Sequence, residues 1–157
     1  MPALSEDLRK QIRAEFPKYP DKRAVTLPAL HIVHEAQRAV SPEAMKEIAE
    51  LLELHPSEVW DTMSFYGFFR DAKHPIGAKR VWVCRSISCM LRGGEELLAG
   101  VCQRLRVDAG KTTSDGRATI EFAECLGACE QAPCILVNDV CHGNQTEESV
   151  LELIEKK

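Results

Sequence analysis

The chain has 157 residues, 45% of them hydrophobic and 28% charged, with a net charge of -4. This is the profile of one globular domain or two small ones, and it excludes a disordered tail, a collagen or a coiled-coil rod. With 6% aromatics and a negative charge the chain offers nucleic acid neither stacking nor phosphate neutralisation, and no apolar run reaches the roughly 18 residues of a membrane span.

The opening Met1–Asp7 has no basic or apolar region and carries Glu6 and Asp7. It reads as neither a secretory signal nor a mitochondrial presequence, which implies a protein that stays in the compartment where it is made. Leu4, Leu8, Ile12 and Phe16 recur every four residues and predict a helix that stops at Pro17. A second helix is expected from about Thr26 to Ala39, with Leu27, Leu30, Ile32, Val33 and Ala36 as apolar candidates and Pro28 in its first turn. Within it, His31-Ile32-Val33-His34-Glu35 invites a zinc reading. A metalloprotease helix, however, spaces its histidines i, i+4 around the glutamate, so half-exposed helix histidines are expected instead.

Ser41-Pro42-Glu43 supplies an N-cap, a first-turn proline and a first-turn acid for a third helix bearing Ala44, Met45, Ile48, Leu51 and Leu52. Pro56-Ser57-Glu58 opens a shorter fourth helix with Val59, Trp60 and Met63. Of Met45, Trp60, Met63, Phe65, Phe68 and Phe69, those on helix stripes are expected in the core. The adjacent Phe68 and Phe69 cannot both face inward from a strand, so one is expected at an interface. The polar Asp71–Gly77 stretch marks a boundary between a helical segment, residues 1–74, and a second domain, residues 75–157.

The second half alternates strand and helix. Arg80–Cys84 is a β-rich run, and Glu95–Leu105 is a helix with Leu97, Leu98, Val101, Cys102 and Leu105 on its apolar side. Gly93-Gly94 shapes the turn before that helix. Ala118–Glu124 alternates like a strand with one solvated face. Ile135–Val137 and Val140-Cys141 flank Asn138-Asp139, a two-residue hairpin turn. Thr146 caps a last helix running to about Glu155. The order reads β-α-β-β-α. Residues 79–117 carry eight Lys/Arg against four Asp/Glu, and residues 118–157 two against eight. Such polarity could orient a partner, although solvated faces explain it for the last helix.

Seven cysteines, all between Cys84 and Cys141, are the strongest signal. With no export signal and an odd count, clustered cysteines point to metal ligands or reactive thiols rather than to a disulfide framework. Cys84 and Cys89 form a C-x4-C pair, Cys125 and Cys129 a C-x3-C pair, and each pair begins where a predicted strand ends. If the two strands are parallel neighbours, both loops meet at one end of the sheet and four thiolates converge. Zinc sites commonly use tighter C-x2-C knuckles, whereas a binuclear iron–sulfur cluster suits wider loops. Spacing therefore favours iron–sulfur over zinc, and neither pair is the C-x-x-C of thiol redox proteins. Small Gly127 and Ala128 would let backbone N–H groups approach cluster sulfurs. Arg85 and Arg92 flank the site and could stabilise a reduced, more anionic cluster, or simply be solvated. Cys102, Cys134 and Cys141 are read as packed thiols, with Cys134 notable for lying five residues after Cys129.

The run Cys84-Arg85-Ser86-Ile87-Ser88-Cys89-Met90-Leu91-Arg92-Gly93-Gly94, followed by Glu124-Cys125-Leu126-Gly127-Ala128-Cys129-Glu130-Gln131-Ala132-Pro133, resembles the thioredoxin-like [2Fe-2S] subunit of respiratory NADH:quinone oxidoreductase (complex I). Leu27-Pro28-Ala29-Leu30, Ser41-Pro42-Glu43-Ala44 and Phe65-Tyr66 are similar to that subunit's helical N-terminal segment. The resemblance implies an α+β protein, a helical segment followed by a thioredoxin-like [2Fe-2S] ferredoxin domain. It implies one [2Fe-2S] cluster on Cys84, Cys89, Cys125 and Cys129, docking on a flavin subunit that binds FMN and NADH, and one-electron exchange with that flavin. It further implies a bacterial, cytoplasmic subunit peripheral to the inner membrane, part of an oxidoreductase but not catalytic alone. Cys134 departs from the apolar residue expected after Ala132-Pro133 and raises the matter of alternative ligation. The small subunit of an NAD-linked hydrogenase or formate dehydrogenase, a free-standing ferredoxin, and a zinc-stabilised four-cysteine interaction module remain alternatives. No G-x-G-x-x-G or Walker loop is present, so NADH is not expected on this chain.

Overall fold

The computed structural model describes residues 3–156; Met1, Pro2 and Lys157, and with them the first two positions of the stretch read for a leader, lie outside it. The chain divides into two compact units, Met1–Pro75 and Ile76–Lys157.

The first unit is helical: α1 (Glu6–Glu15), α2 (Thr26–Gln37), α3 (Pro42–Leu52) and α4 (Pro56–Phe65), with 3-10 turns at Phe16–Lys18 and Arg23–Val25. Hydroxyl caps set two of the starts. Ser5 accepts the Leu8 N–H and Ser41 the Ala44 N–H, satisfying donors the helix cannot use internally. Helix α2 stops two residues short of the expected Ala39 because Arg38 turns left-handed, at φ 61°. The chain then turns to pair Val40 with Asp71. Leu4, Leu8 and Ile12 pack with Leu30, Val33, Met45, Ile48, Leu52, Val59, Met63 and Phe69 in one apolar cluster. Met45, Met63 and Phe69 are thus core, while Trp60 and Phe65 are exposed and Phe68 is half-buried, stacked on His31. The expectation of half-exposed histidines fails for His34. It is buried, its Nε2 accepts the Arg70 N–H at 3.1 Å, and its ring meets Phe69 edge-on.

The second unit is a five-stranded sheet in the order β2-β3-β1-β4-β5, formed by β1 (Lys79–Cys84), β2 (Lys111–Thr112), β3 (Ala118–Ala123), β4 (Ile135–Val137) and β5 (Val140–His142). Strands β1 and β3 are parallel neighbours; the remaining pairs are antiparallel. Helix α6 (Gly94–Leu105), preceded by the single-turn α5 (Ile87–Leu91), and helix α7 (Glu147–Glu155) complete the unit. One sheet face, Val81, Val83, Ala118, Ile120, Ile135 and Val137, buries against Leu97, Leu98 and Val101 of α6 and Val150 and Ile154 of α7. Asn138 and Asp139 both adopt positive φ, as the two-residue turn between β4 and β5 requires. The two-residue β2 and the one-turn α5 are too short for periodicity to reveal.

The expected solvated face of β3 is corrected by the structure. Thr119 is 1% exposed and Glu121 8%. Strand β3 is flanked on both sides, and its polar residues satisfy one another and their neighbours. The Thr119 hydroxyl accepts the Gly77 N–H at 2.7 Å, and Glu121 accepts from Arg80 Nε at 2.6 Å and Trp82 Nε1 at 2.8 Å. The Arg80 guanidinium lies over the Trp82 ring at 4.6 Å. Removing one partner of such a pair strands the other charge out of water. Glu121→Ala is therefore expected to cost about 3 kcal/mol in urea unfolding of the chain. A loss below about 1 kcal/mol would show that water screens the pair like a surface one.

Candidate metal centre

The parallel register places the candidate residues. Cys84, the last residue of β1, pairs with Ala123, the last residue of β3, so both strands run out at one level. The Arg85 N–H extends the ladder by one bond, to the Ala123 carbonyl at 3.0 Å. From there one loop rises into α5, which carries Cys89. The other passes through Cys125 and Gly127, at φ +81°, into a 3-10 turn at Cys129–Gln131. Gly93, at φ 84°, caps α6 as the turn reading expects. A Cβ on Gly94 would stand 2.9 Å from the Cys84 and Cys89 carbonyl oxygens, so only glycine lets α6 begin against both.

Cys125 and Cys129 are exposed, with sulfurs 3.8 Å apart; Cys84 and Cys89 are buried. The two loops share one electrostatic environment: the Leu126 N–H of the second loop favours the Cys84 thiolate, and the Ser88 hydroxyl of the first favours that of Cys129. Within the second loop the Gly127 N–H points at the Cys125 sulfur, at 3.4 Å. The Gly127 N–H lies where the small size of that residue predicts one, whereas the roles of Ser86 and Leu126 follow from loop conformation rather than residue type.

Cys134, noted in the sequence for its position and for alternative ligation, lies against the buried pair. Its thiol is buried, as a packed cysteine should be, but its sulfur lies 3.6 Å from that of Cys89, and the Cys84, Cys89 and Cys134 sulfurs all fall within 4.8 Å of one another. The signal was present in the order of elements: Cys134 directly precedes β4, and β4 pairs antiparallel with β1, bringing its start to the end that carries Cys84. Of the other two thiols, Cys102 is half-buried on α6. Cys141 is exposed on β5 and so is not the packed thiol expected, because β5 is the sheet's outer strand. Arg85 pairs with Glu124 and lies 5.8 Å over the Phe122 ring, while Arg92 is exposed.

The electrostatics are those of crowded thiols. Burial pushes Cys84 up, but N–H donors from Ser86 and Leu126 and the neighbouring thiols bring it below the ordinary thiol range. Burial raises Cys89, and burial together with Cys89 pushes Cys134 far up. The Cys125 thiol, by hydrogen bond and by charge, raises Cys129. Neighbouring sulfurs resist ionising together, and a cationic centre is what relieves that repulsion. A tetrahedral metal with bonds of about 2.3 Å to sulfur separates two of its ligand sulfurs by about 3.8 Å. The Cys125–Cys129 spacing matches that value, so this donor set fits a thiolate-bound metal centre.

The model of the thioredoxin-like [2Fe-2S] ferredoxin family matches residues 12–157. The chain is 37% identical over 137 residues to a NADH-quinone oxidoreductase subunit of Rhizobium meliloti, covering 87% of this chain and 80% of that one. It is 35% identical over 153 residues to a NADH-quinone oxidoreductase subunit of Pseudomonas aeruginosa, covering 97% and 90%. Among solved structures, a chain of an air-oxidised NAD+-reducing [NiFe]-hydrogenase superimposes with a TM-score of 0.71 and 27% identity. The match covers 83% of this chain and only 22% of that longer one. Sheet, cysteine loops and relatives agree: this chain belongs to the thioredoxin-like [2Fe-2S] ferredoxin family.

Proposed function

We propose that Cys84, Cys89, Cys125 and Cys129 hold one [2Fe-2S] cluster, and that the chain serves as the electron-transfer subunit of a flavin-linked NADH dehydrogenase of the NADH:quinone oxidoreductase type. The observation that carries this reading is a buried and an exposed cysteine pair on two loops that leave adjacent parallel strands at the same level. When bound, such a cluster takes up and returns one electron. The N–H groups of Ser86, Leu126 and Gly127, directed at sulfur, favour added negative charge there and so raise the reduction potential. Burial of Cys84 and Cys89 keeps water from one side of the site, and exposure of Cys125 and Cys129 opens the other to a partner.

That partner is read as the subunit that binds FMN and NADH, since this chain has no dinucleotide loop of its own. The bacterial relatives belong to NADH-quinone oxidoreductases, and the superimposed chain to an NAD+-reducing hydrogenase. Beside Cys89, helix α5 presents Ile87, 70% exposed, and Leu91, 76% exposed, with Met90 next to them. Large apolar side chains turned to water next to a redox site suit a docking contact. No helix among the described residues is long and apolar enough to cross a membrane. From the bacterial relatives the reading is of a peripheral subunit on the cytoplasmic side of a membrane complex. The same role in an NAD-linked hydrogenase is the second reading, favoured by the superimposed hydrogenase chain.

Anaerobically purified chain is expected to contain about two irons and two acid-labile sulfides, and no stoichiometric zinc. Zinc without sulfide, persisting after reconstitution, would replace this reading with an interaction module. NADH alone is expected to leave the chain's visible spectrum unchanged, and to bleach it once the flavin subunit is added. Leu91→Glu is expected to weaken that association roughly tenfold, about 1.4 kcal/mol, at unchanged iron content. Unaltered affinity in a binding titration would remove α5 from the interface.

A further inference from the structure

We propose that the buried side of this site is a set of three interchangeable thiols, Cys84, Cys89 and Cys134, any two of which hold the inner metal. The proposal rests on the reading of the site as a [2Fe-2S] centre and adds a residue to it. Backbone pairing carries the argument. Val83 opposes Ile135 in the β1–β4 ladder, and the Cys84 N–H donates to the Cys134 carbonyl at 3.1 Å, so these two cysteines face each other across the next rung. Opposed residues of an antiparallel pair project to the same face with Cβ atoms about 5 Å apart. Cys134 is therefore held at the metal site by the sheet itself and not by a mobile loop. Its sulfur is 3.6 Å from that of Cys89, close to the spacing of about 3.8 Å that a tetrahedral metal imposes on two sulfurs. All three sulfurs fit within 4.8 Å, so replacing one ligand by another asks for shifts on the order of 1 Å.

The outer pair is different. Cys125 and Cys129 are exposed, and among the described residues no third thiol is grouped with them. The inner side thus tolerates loss of one cysteine and the outer side does not.

The test compares Cys89→Ala, Cys89→Ala/Cys134→Ala and Cys125→Ala with the wild type by iron and acid-labile sulfide content, with far-UV circular dichroism to confirm folding. Cys89→Ala is expected to keep more than about half of the wild-type sulfide, and the other two variants less than about a tenth. A Cys89→Ala variant as empty as the double variant overturns the proposal. The second measurement uses cadmium on the reduced apo chain of Cys125→Ala/Cys129→Ala, in which the inner thiols remain. Adding Cys134→Ala is expected to lower the sulfur-to-cadmium absorption by about a third, as three thiolate ligands become two. An unchanged band overturns the proposal. If the wild type carries no sulfide, the proposed function fails, and the cadmium result still decides the role of Cys134.

Discussion

Two parallel strands that run out at the same level determine where the cysteines can go. Strands β1 and β3 are hydrogen-bonded along their whole length, with Cys84 opposite Ala123, so the loops that follow start side by side. Everything at the site depends on that registration. Shifting β3 by one residue would turn its apolar residues to the wrong face and carry Cys125 away from Cys84. The apolar layer of Val81, Val83, Ile120 and Ile135 against α6 and α7 fixes the register from one face. The Arg80–Glu121–Trp82 contact fixes it from the other.

Sulfur atoms brought this close create a second constraint. Cys125 makes Cys129 harder to ionise, and burial together with Cys89 does the same to Cys134. Backbone N–H groups and the neighbouring thiols, not basic side chains, supply the compensation at Cys84. Arg85 is occupied with Glu124 instead. Amide dipoles are fixed by the fold and carry no mobile charge, so the environment they give the sulfur does not change with salt as an exposed arginine's would.

Much of this was legible in the residues. Helices α1 to α4 follow from apolar spacing and, for α3, from the Ser41 cap, and the β4–β5 hairpin from Asn138-Asp139, because these signals act within a few residues of themselves. The meeting of the two cysteine loops was legible only conditionally, since strand adjacency is a long-range property. What escaped depends on neighbours distant in sequence. Glu121 is buried because β1 brings Arg80 and Trp82 to it. His34 is buried against Phe69, and the Arg70 N–H satisfies its ring nitrogen there. Cys134 joins the inner thiols because β4 folds back on β1. Cys141 is exposed because nothing pairs beyond β5 in the sheet.

The sheet also ends in a particular way. Its outermost strands, β2 and β5, are two and three residues long. Edges this short expose too few free amides and carbonyls for another chain to add a strand. A protein living among many others is thereby kept from indiscriminate backbone pairing. Its recognition has to be written in side chains, where each partner can be told from the next.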